Sequence, residues 1–270
     1  MLPGRPRDRW YGPSMSDRPR RPRRTDGAGR TGPRALNVAV DDRYRFLWAL
    51  NRIVMRALFR IEVEGIRQWP GAPFQLVCNH HNGMDPLIVL AATPMRPRIT
   101  WFGPREADFT RGFKNRVMAF YGGVIPFNPE KTTLLSAARA VRRVFDAGGV
   151  HAIFAEGRVG FRETELQPLE EGAAFFAIHA GVPVVPCAVV GTTELWLRKR
   201  LSIRFGEPIA TGELRGRGGA EELNARTERA LRALLPADEP PRPRGYRPLR
   251  WLTDLLNGPD DIARRTALDG

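Results

Sequence analysis

The chain has 270 residues, with 43 Lys+Arg against 29 Asp+Glu and a formal net charge of +14. That length suits one domain with appendages, and 42 % apolar residues suffice to fill a core. Two cysteines exclude a disulfide scaffold, no Cys-x-x-Cys or His/Cys cluster has zinc spacing, and the charge excess points to an anionic partner.

Residues 1–34 hold ten arginines against three aspartates, a net of +7, among six prolines and five glycines. Such a stretch buries too little apolar surface to offset its chain entropy, so 1–40 reads as a disordered Arg/Pro-rich tail. It lacks the apolar core of a signal peptide, and nothing before Met15 reads as structural, so translation could start there. In the next segment, 41–65, helical spacing puts Leu47, Leu50, Val54, Ala57 and Leu58 on one stripe and Arg45, Arg52, Arg56 and Arg60 on another, with Asp41 or Asp42 as cap. Two settings fit this helix: packing on a core, or lying in a membrane interface where arginines meet anionic headgroups. No apolar run approaches the ~18 residues a membrane span needs.

From 61 to 210, β-rich runs alternate with helical patterns. Strands are expected at 61–65, 74–78, 98–102, 123–127, 151–155, 182–190 and 201–206, and helices at 85–92, 106–120, 131–147, 169–180 and 219–235. The pattern implies an α/β fold with a mostly parallel sheet flanked by helices. We therefore divide the chain into the tail 1–40, a domain at 41–236, and a Pro/Arg linker with a short helix near 249–257 in 237–270. Cys78 and Cys187 lie in apolar runs and read as small buried hydrophobes; His151 and His179 read as structural.

The strand at 74–78 runs into Asn79-His80-His81-Asn82-Gly83-Met84-Asp85-Pro86, at the end of a strand where α/β folds place ligands. A carboxylate five residues after His80, across a glycine turn, can hold one imidazole nitrogen and make the other a general base. A surface histidine beside a helix-capping aspartate would have the same spacing, so the pair alone does not decide. Glu156-Gly157-Arg158 follows the strand at 151–155, where Arg158 could grip a phosphate. Gly123-Val124-Ile125-Pro126 is glycine-rich, and Val182-Pro183-Val184-Val185-Pro186 carries two prolines that favour an edge strand or a bulge exposing an apolar wall.

In this order the four segments resemble the glycerophosphate/lysophosphatidic acid acyltransferase superfamily over about 45–210. Its N-H-x-x-x-x-D motif is met by Asn79, His80 and Asp85, its Gly-x-I-P motif by Gly123, Ile125 and Pro126, its F-P-E-G-T-R motif by Phe154, Glu156, Gly157 and Arg158, and its V-P-x-x-P motif by Val182, Pro183 and Pro186. The resemblance implies an acyltransferase-type sandwich and fatty acyl transfer from acyl-CoA or acyl carrier protein to a lysophospholipid hydroxyl. No covalent acyl-enzyme, metal or further cofactor is implied. His80 would take the hydroxyl proton, Asp85 would orient His80, and Glu156, Gly157 and Arg158 would seat the acceptor. The Val182–Pro186 segment would line the acyl route. The simplest acceptor is 1-acyl-glycerol-3-phosphate. Attachment would be peripheral, at an anionic membrane on the cytoplasmic face of the plasma membrane.

Departures keep the acceptor open. Asn128 stands where the second motif has arginine, with Lys131, Arg105 or Lys114 as replacements. Ala155 stands for proline, and Arg158 comes one position early. Another lysolipid or a glycolipid is the alternative acceptor, and a non-catalytic anionic-lipid binder is the alternative class. With few paired basic–aromatic clusters and no nucleic-acid motif, nucleic acid is not an expected partner.

Overall fold

The computed structural model describes residues 40–103, 123–125, 134–241 and 245–269. The Arg/Pro-rich tail up to residue 39, the helix expected at 106–120, Arg105, Lys114, Pro126, Asn128 and Lys131 lie outside the described residues.

Seven strands build one sheet: β1 (Arg60–Glu64), β2 (Phe74–Cys78), β3 (Ile99–Phe102), β4 (Val124–Ile125), β5 (Val150–Phe154), β6 (Val184–Val190) and β7 (Arg200–Phe205). Their order is β1-β7-β6-β2-β5-β3-β4, and every neighbouring pair is parallel except β6–β7. Helices α1 (Asp42–Leu58), α2 (Asp85–Ala92), α3 (Leu134–Asp146), α4 (Glu171–Ala180), α5 (Gly216–Leu234), α6 (Leu252–Leu255) and α7 (Pro259–Asp269), with a 3-10 turn at Ile66–Gln68, complete the described elements. The mostly parallel α/β architecture expected from the alternating pattern is present.

Strands covered on both faces read as unbroken apolar runs, which is why β2 and β6 are buried throughout. Alternate residues of β6 feed two apolar clusters. Val185, Cys187 and Val189 join the cluster that holds Met55 of α1, Ile88 of α2 and Leu252 of α6. Val184, Ala188 and Val190 join the one that holds Val141 of α3, Ala177 of α4 and Leu231 of α5.

Two expectations are corrected here. The prolines of 182–190 do not mark an edge: β6 lies between β7 and β2. Pro186 is tolerated because its carbonyl accepts from Gly206 N at 2.9 Å, one step past the last β7 pair, Cys187↔Phe205. Its missing N–H falls in the irregular stretch between that last pair and the isolated Val184↔Ile209 bridge, where regular pairing is interrupted. No exposed apolar wall results, since β6 is buried along its whole length.

The second correction concerns α1. Asp41 caps it, its carboxylate accepting from Tyr44 N at 2.8 Å. Its buried face is Tyr44, Leu47, Asn51 and Met55, whereas Leu50 and Val54 are exposed. The polar Asn51 hid this face from an apolar count; its Nδ2 donates to Leu87 O of α2 at 2.9 Å, tying the two helices together. The helix thus has a core face, an arginine stripe, and an exposed apolar face of Phe46, Leu50, Ile53 and Val54.

Beyond the linker, residues 245–269 pack back onto the sheet domain. Leu252 is buried in the first apolar cluster, and Glu194 pairs with both Arg247 and Arg250. The sequence reading anticipated a short helix near 249–257 but not α7.

Candidate active site

β2 ends at Cys78, and the chain turns at once around a single carboxylate. Asp85 Oδ2 lies 2.9 Å from His80 Nδ1 and also accepts from His81 N at 2.7 Å and Asn82 N at 2.8 Å. The Asp85 side chain is fully buried, while that of His80 is 19 % exposed. Because the carboxylate accepts, Nδ1 carries the hydrogen and Nε2 keeps its lone pair, with no hydrogen-bond partner among the described residues. The imidazole stacks on Phe154 with centroids 4.1 Å apart, and Phe154 stacks on Trp101 at 4.8 Å. An aromatic column from β3 and β5 therefore fixes the plane of the ring.

Two motif residues hold this loop through its backbone. Glu156 is buried, and its oxygens accept from His80 N at 2.7 Å and Gln167 N at 2.6 Å. Burial raises its pKa, against those two hydrogen bonds. Asn79 donates to Val189 O at 3.0 Å and accepts from Val189 N at 2.6 Å, continuing the β2–β6 ladder with a side chain. Glu156, expected to seat the acceptor, and Asn79 thus both bind the protein's own backbone, and Asn79 Nδ2 also lies 3.4 Å from the buried His81 ring.

Residues 60–190 match the profile of the family described as Acyltransferase. They form an acyltransferase-family domain. The fold is similar to that of the 1-acyl-sn-glycerophosphate (LPA) acyltransferase PlsC from Thermotoga maritima, with a TM-score of 0.56 and 16 % identity. The match covers 71 % of this chain and 80 % of that one. No curated protein sequence matches significantly.

Within the acyltransferase domain the remaining motif residues are spread out. Gly123 lines an apolar recess with Tyr44, Leu87, Leu90 and Trp101, whereas Ile125 is buried in the second apolar cluster. Gly157 has φ +65°, a turn conformation suited to glycine. Arg158 is exposed and donates to Gln167 Oε1 at 2.8 Å. Pro183 is half-buried and Pro186 buried, with carbonyls accepting from Gln75 N and Gly206 N. Both cysteines are fully buried, and burial, then Cys187, raises the Cys78 thiol pKa well above its usual value. His151 is buried against Gln75 Oε1 at 3.3 Å, and burial lowers its pKa to about 3. Among the described residues, no group of three or more His, Cys, Asp or Glu side chains converges as for a metal ion.

The sequence reading missed Glu163. It lies 3.3 Å from the ring of the buried His81 and accepts from Gly191 N at 2.7 Å, Thr193 N at 3.0 Å and Thr193 Oγ1 at 2.7 Å. It thereby joins the loops after β2, β5 and β6. Nothing in the spacing announces it; the only hint is a second histidine beside His80.

Proposed function

We propose that the acyltransferase domain moves a fatty acyl group from acyl-CoA or acyl carrier protein to the hydroxyl of a lysophospholipid, most simply 1-acyl-glycerol-3-phosphate, giving phosphatidic acid. The observation that carries this reading is the His80–Asp85 pair, with a buried carboxylate on Nδ1 and a partly exposed ring. Nε2 takes the acceptor's proton as its oxygen attacks the thioester carbonyl, and Asp85 stabilises the imidazolium. Collapse of the tetrahedral intermediate breaks the C–S bond, and the thiolate leaves with the proton from Nε2. No metal or cofactor takes part beyond the co-substrate.

Two further features support the reading. Arg158 and, by motif order, Lys131 are the cations for an acceptor phosphate. The exposed face of α1, with Phe46 66 % and Ile53 68 % exposed and arginines alongside, suits peripheral attachment to an anionic membrane at the cytoplasmic face. No helix of the described residues is long and apolar enough to cross a membrane.

The test is a panel of labelled acyl-CoA and acyl carrier protein donors against phosphorylated and unphosphorylated acceptors on anionic liposomes, run beside His80→Ala. Transfer to lysophosphatidate that His80→Ala abolishes supports the proposal. Equal transfer to acceptors lacking phosphate would replace it with a glycolipid or other lysolipid reading, and no transfer to any acceptor would overturn it.

A further inference from the structure

The catalytic loop is gripped by a segment that lies outside the matched domain, more than 170 residues along the chain. Gly83 N donates to Asn257 Oδ1 at 2.7 Å, across a separation of 174 residues. Asn82 Nδ2 donates to Thr253 O at 2.9 Å, across 171 residues, and Asn257 Nδ2 donates to that same carbonyl at 2.8 Å. One side-chain amide and one carbonyl thus bind two consecutive residues of the turn between His80 and Asp85. Asn82 passes the restraint on: its N–H donates to Asp85 Oδ2, and its Oδ1 accepts from Met84 N at 2.9 Å.

The fit is close enough to dictate a glycine. A Cβ on Gly83 would lie 2.0 Å from Leu256 O, and Gly83 is not in the left-handed region. The glycine therefore answers to the approach of the C-terminal segment rather than to its own turn. That segment has its own anchorage. Leu252 is 4 % exposed in the core, Thr253 Oγ1 accepts from Leu195 N at 2.8 Å, and Arg250 reaches Glu194 at 2.8 Å. An independently fixed strap is what a positioning role needs, because a loose one would follow the loop instead of holding it.

We propose that Asn257 is a positioning residue, acting with the Thr253 carbonyl to hold the Asn82–Gly83 turn so that Asp85 meets His80 Nδ1 and Nε2 faces the acceptor hydroxyl. This rests on the acyltransferase reading given above. Losing the grip lets the turn drift, and displacements of about 1 Å at a general base cost up to ~10²-fold in rate while substrate binding elsewhere persists. The effect therefore falls on kcat.

The full chain with Asn257→Ala, Asn257→Asp or Gly83→Ala tests it. Asn257→Asp keeps an oxygen for Gly83 N–H but loses the donor to Thr253 O; Gly83→Ala strikes the same contact from the loop side. The readouts are kcat and KM, the pH dependence of kcat/KM, and the NMR titration of the His80 imidazole, which Asp85 and Glu156 face. Asn257→Ala should lower kcat on the order of tenfold with KM nearly unchanged, and move the acid limb of the profile together with the His80 titration. Gly83→Ala should do the same, and Asn257→Asp should recover part of the loss. Wild-type kcat, pH profile and His80 titration in folded Asn257→Ala and Gly83→Ala would overturn the proposal, as would parallel losses of kcat and KM with an unmoved titration. If Asn257→Ala fails to fold, Asn257→Asp and Gly83→Ala decide by the same readouts. If the wild type transfers no acyl group to any acceptor, the functional reading falls, and the His80 titration still decides the role of Asn257.

Discussion

His81 Nδ1 lies 3.3 Å from Glu163 Oε2, with both side chains buried, one residue along the chain from His80. Burial alone would lower the His81 pKa, but the hydrogen bond and charge of Glu163, with Asp85 and Glu156, outweigh it and lift it from 6.5 to about 9. Burial would raise Glu163, but its bonds from His81, Thr193 and Gly191 hold it at about 2. The folded state therefore keeps a proton on His81 that the unfolded chain releases above pH 6.5, so this contribution to stability is complete below 6.5 and lost as pH rises through about 9. The Glu163 contribution is complete above pH 4.5 and lost as pH falls through about 2. Thermal unfolding should show Tm declining from pH 6.5 to 9, and Glu163→Gln should flatten that limb while lowering stability overall by about 3–5 kcal/mol, as when one partner of a buried pair is removed. Equal alkaline slopes in the two proteins would refute the assignment.

His151 works on the acid side. Burial holds it neutral down to about pH 3, whereas the unfolded chain takes up its proton below 6.5. Here the unfolded state binds more protons, so stability falls as pH drops through that window. His151→Gln, which cannot titrate, should make the Tm of the variant less sensitive to pH between 6.5 and 4 than that of the wild type; an unchanged slope would count against it.

The proposed catalytic pair divides chemistry and folding unequally. His80→Ala removes a ring stacked on Phe154 but leaves Asp85 its two backbone donors, so it should lower acyl transfer by about 10²–10⁴-fold with only a modest drop in Tm. Asp85→Ala also strands His81 N and Asn82 N, whose acceptor is this carboxylate, and should cost about 1–3 kcal/mol of stability besides activity. Calorimetry beside the transfer assay reads both effects. Full acyl transfer by His80→Ala or a fully stable Asp85→Ala would contradict the geometry.

The exposed face of α1 predicts a membrane phenotype without a folding one. Phe46→Glu and Ile53→Glu change side chains 66 % and 68 % exposed, so Tm should hold. Co-sedimentation with anionic liposomes should fall by about tenfold for each, since burying such a side chain is worth ~1.5–3 kcal/mol. Binding by the wild type should weaken with salt. Undiminished sedimentation of the double variant would remove α1 as the docking face.

Local pattern carried the sequence reading far. β2 and α2 fall at the expected residues, and β5 and β7 are displaced by one, because apolar runs and a Pro86 at the first helical turn report local structure directly. The His80–Asp85 contact was legible for the same reason: five residues and one turn bring the two groups together whatever else the chain does. Asn79 and Glu156 were legible as important but not for what they do, since the backbone atoms they bind are set by strand pairing: Val189 lies 110 residues beyond Asn79, and His80 lies 76 residues before Glu156.

The sequence by itself thus determined the α/β class, the strands, and a histidine–carboxylate pair at a strand end, all of which follow from periodicity and short spacings. Only the tertiary structure decided that β6 is interior despite its prolines, which face of α1 meets the core, that Glu163 holds His81, and that Asn257 reaches Gly83. Each of these depends on which distant backbone groups still need a partner once the sheet has formed. No local pattern encodes that demand, because it arises from the packing of the whole chain.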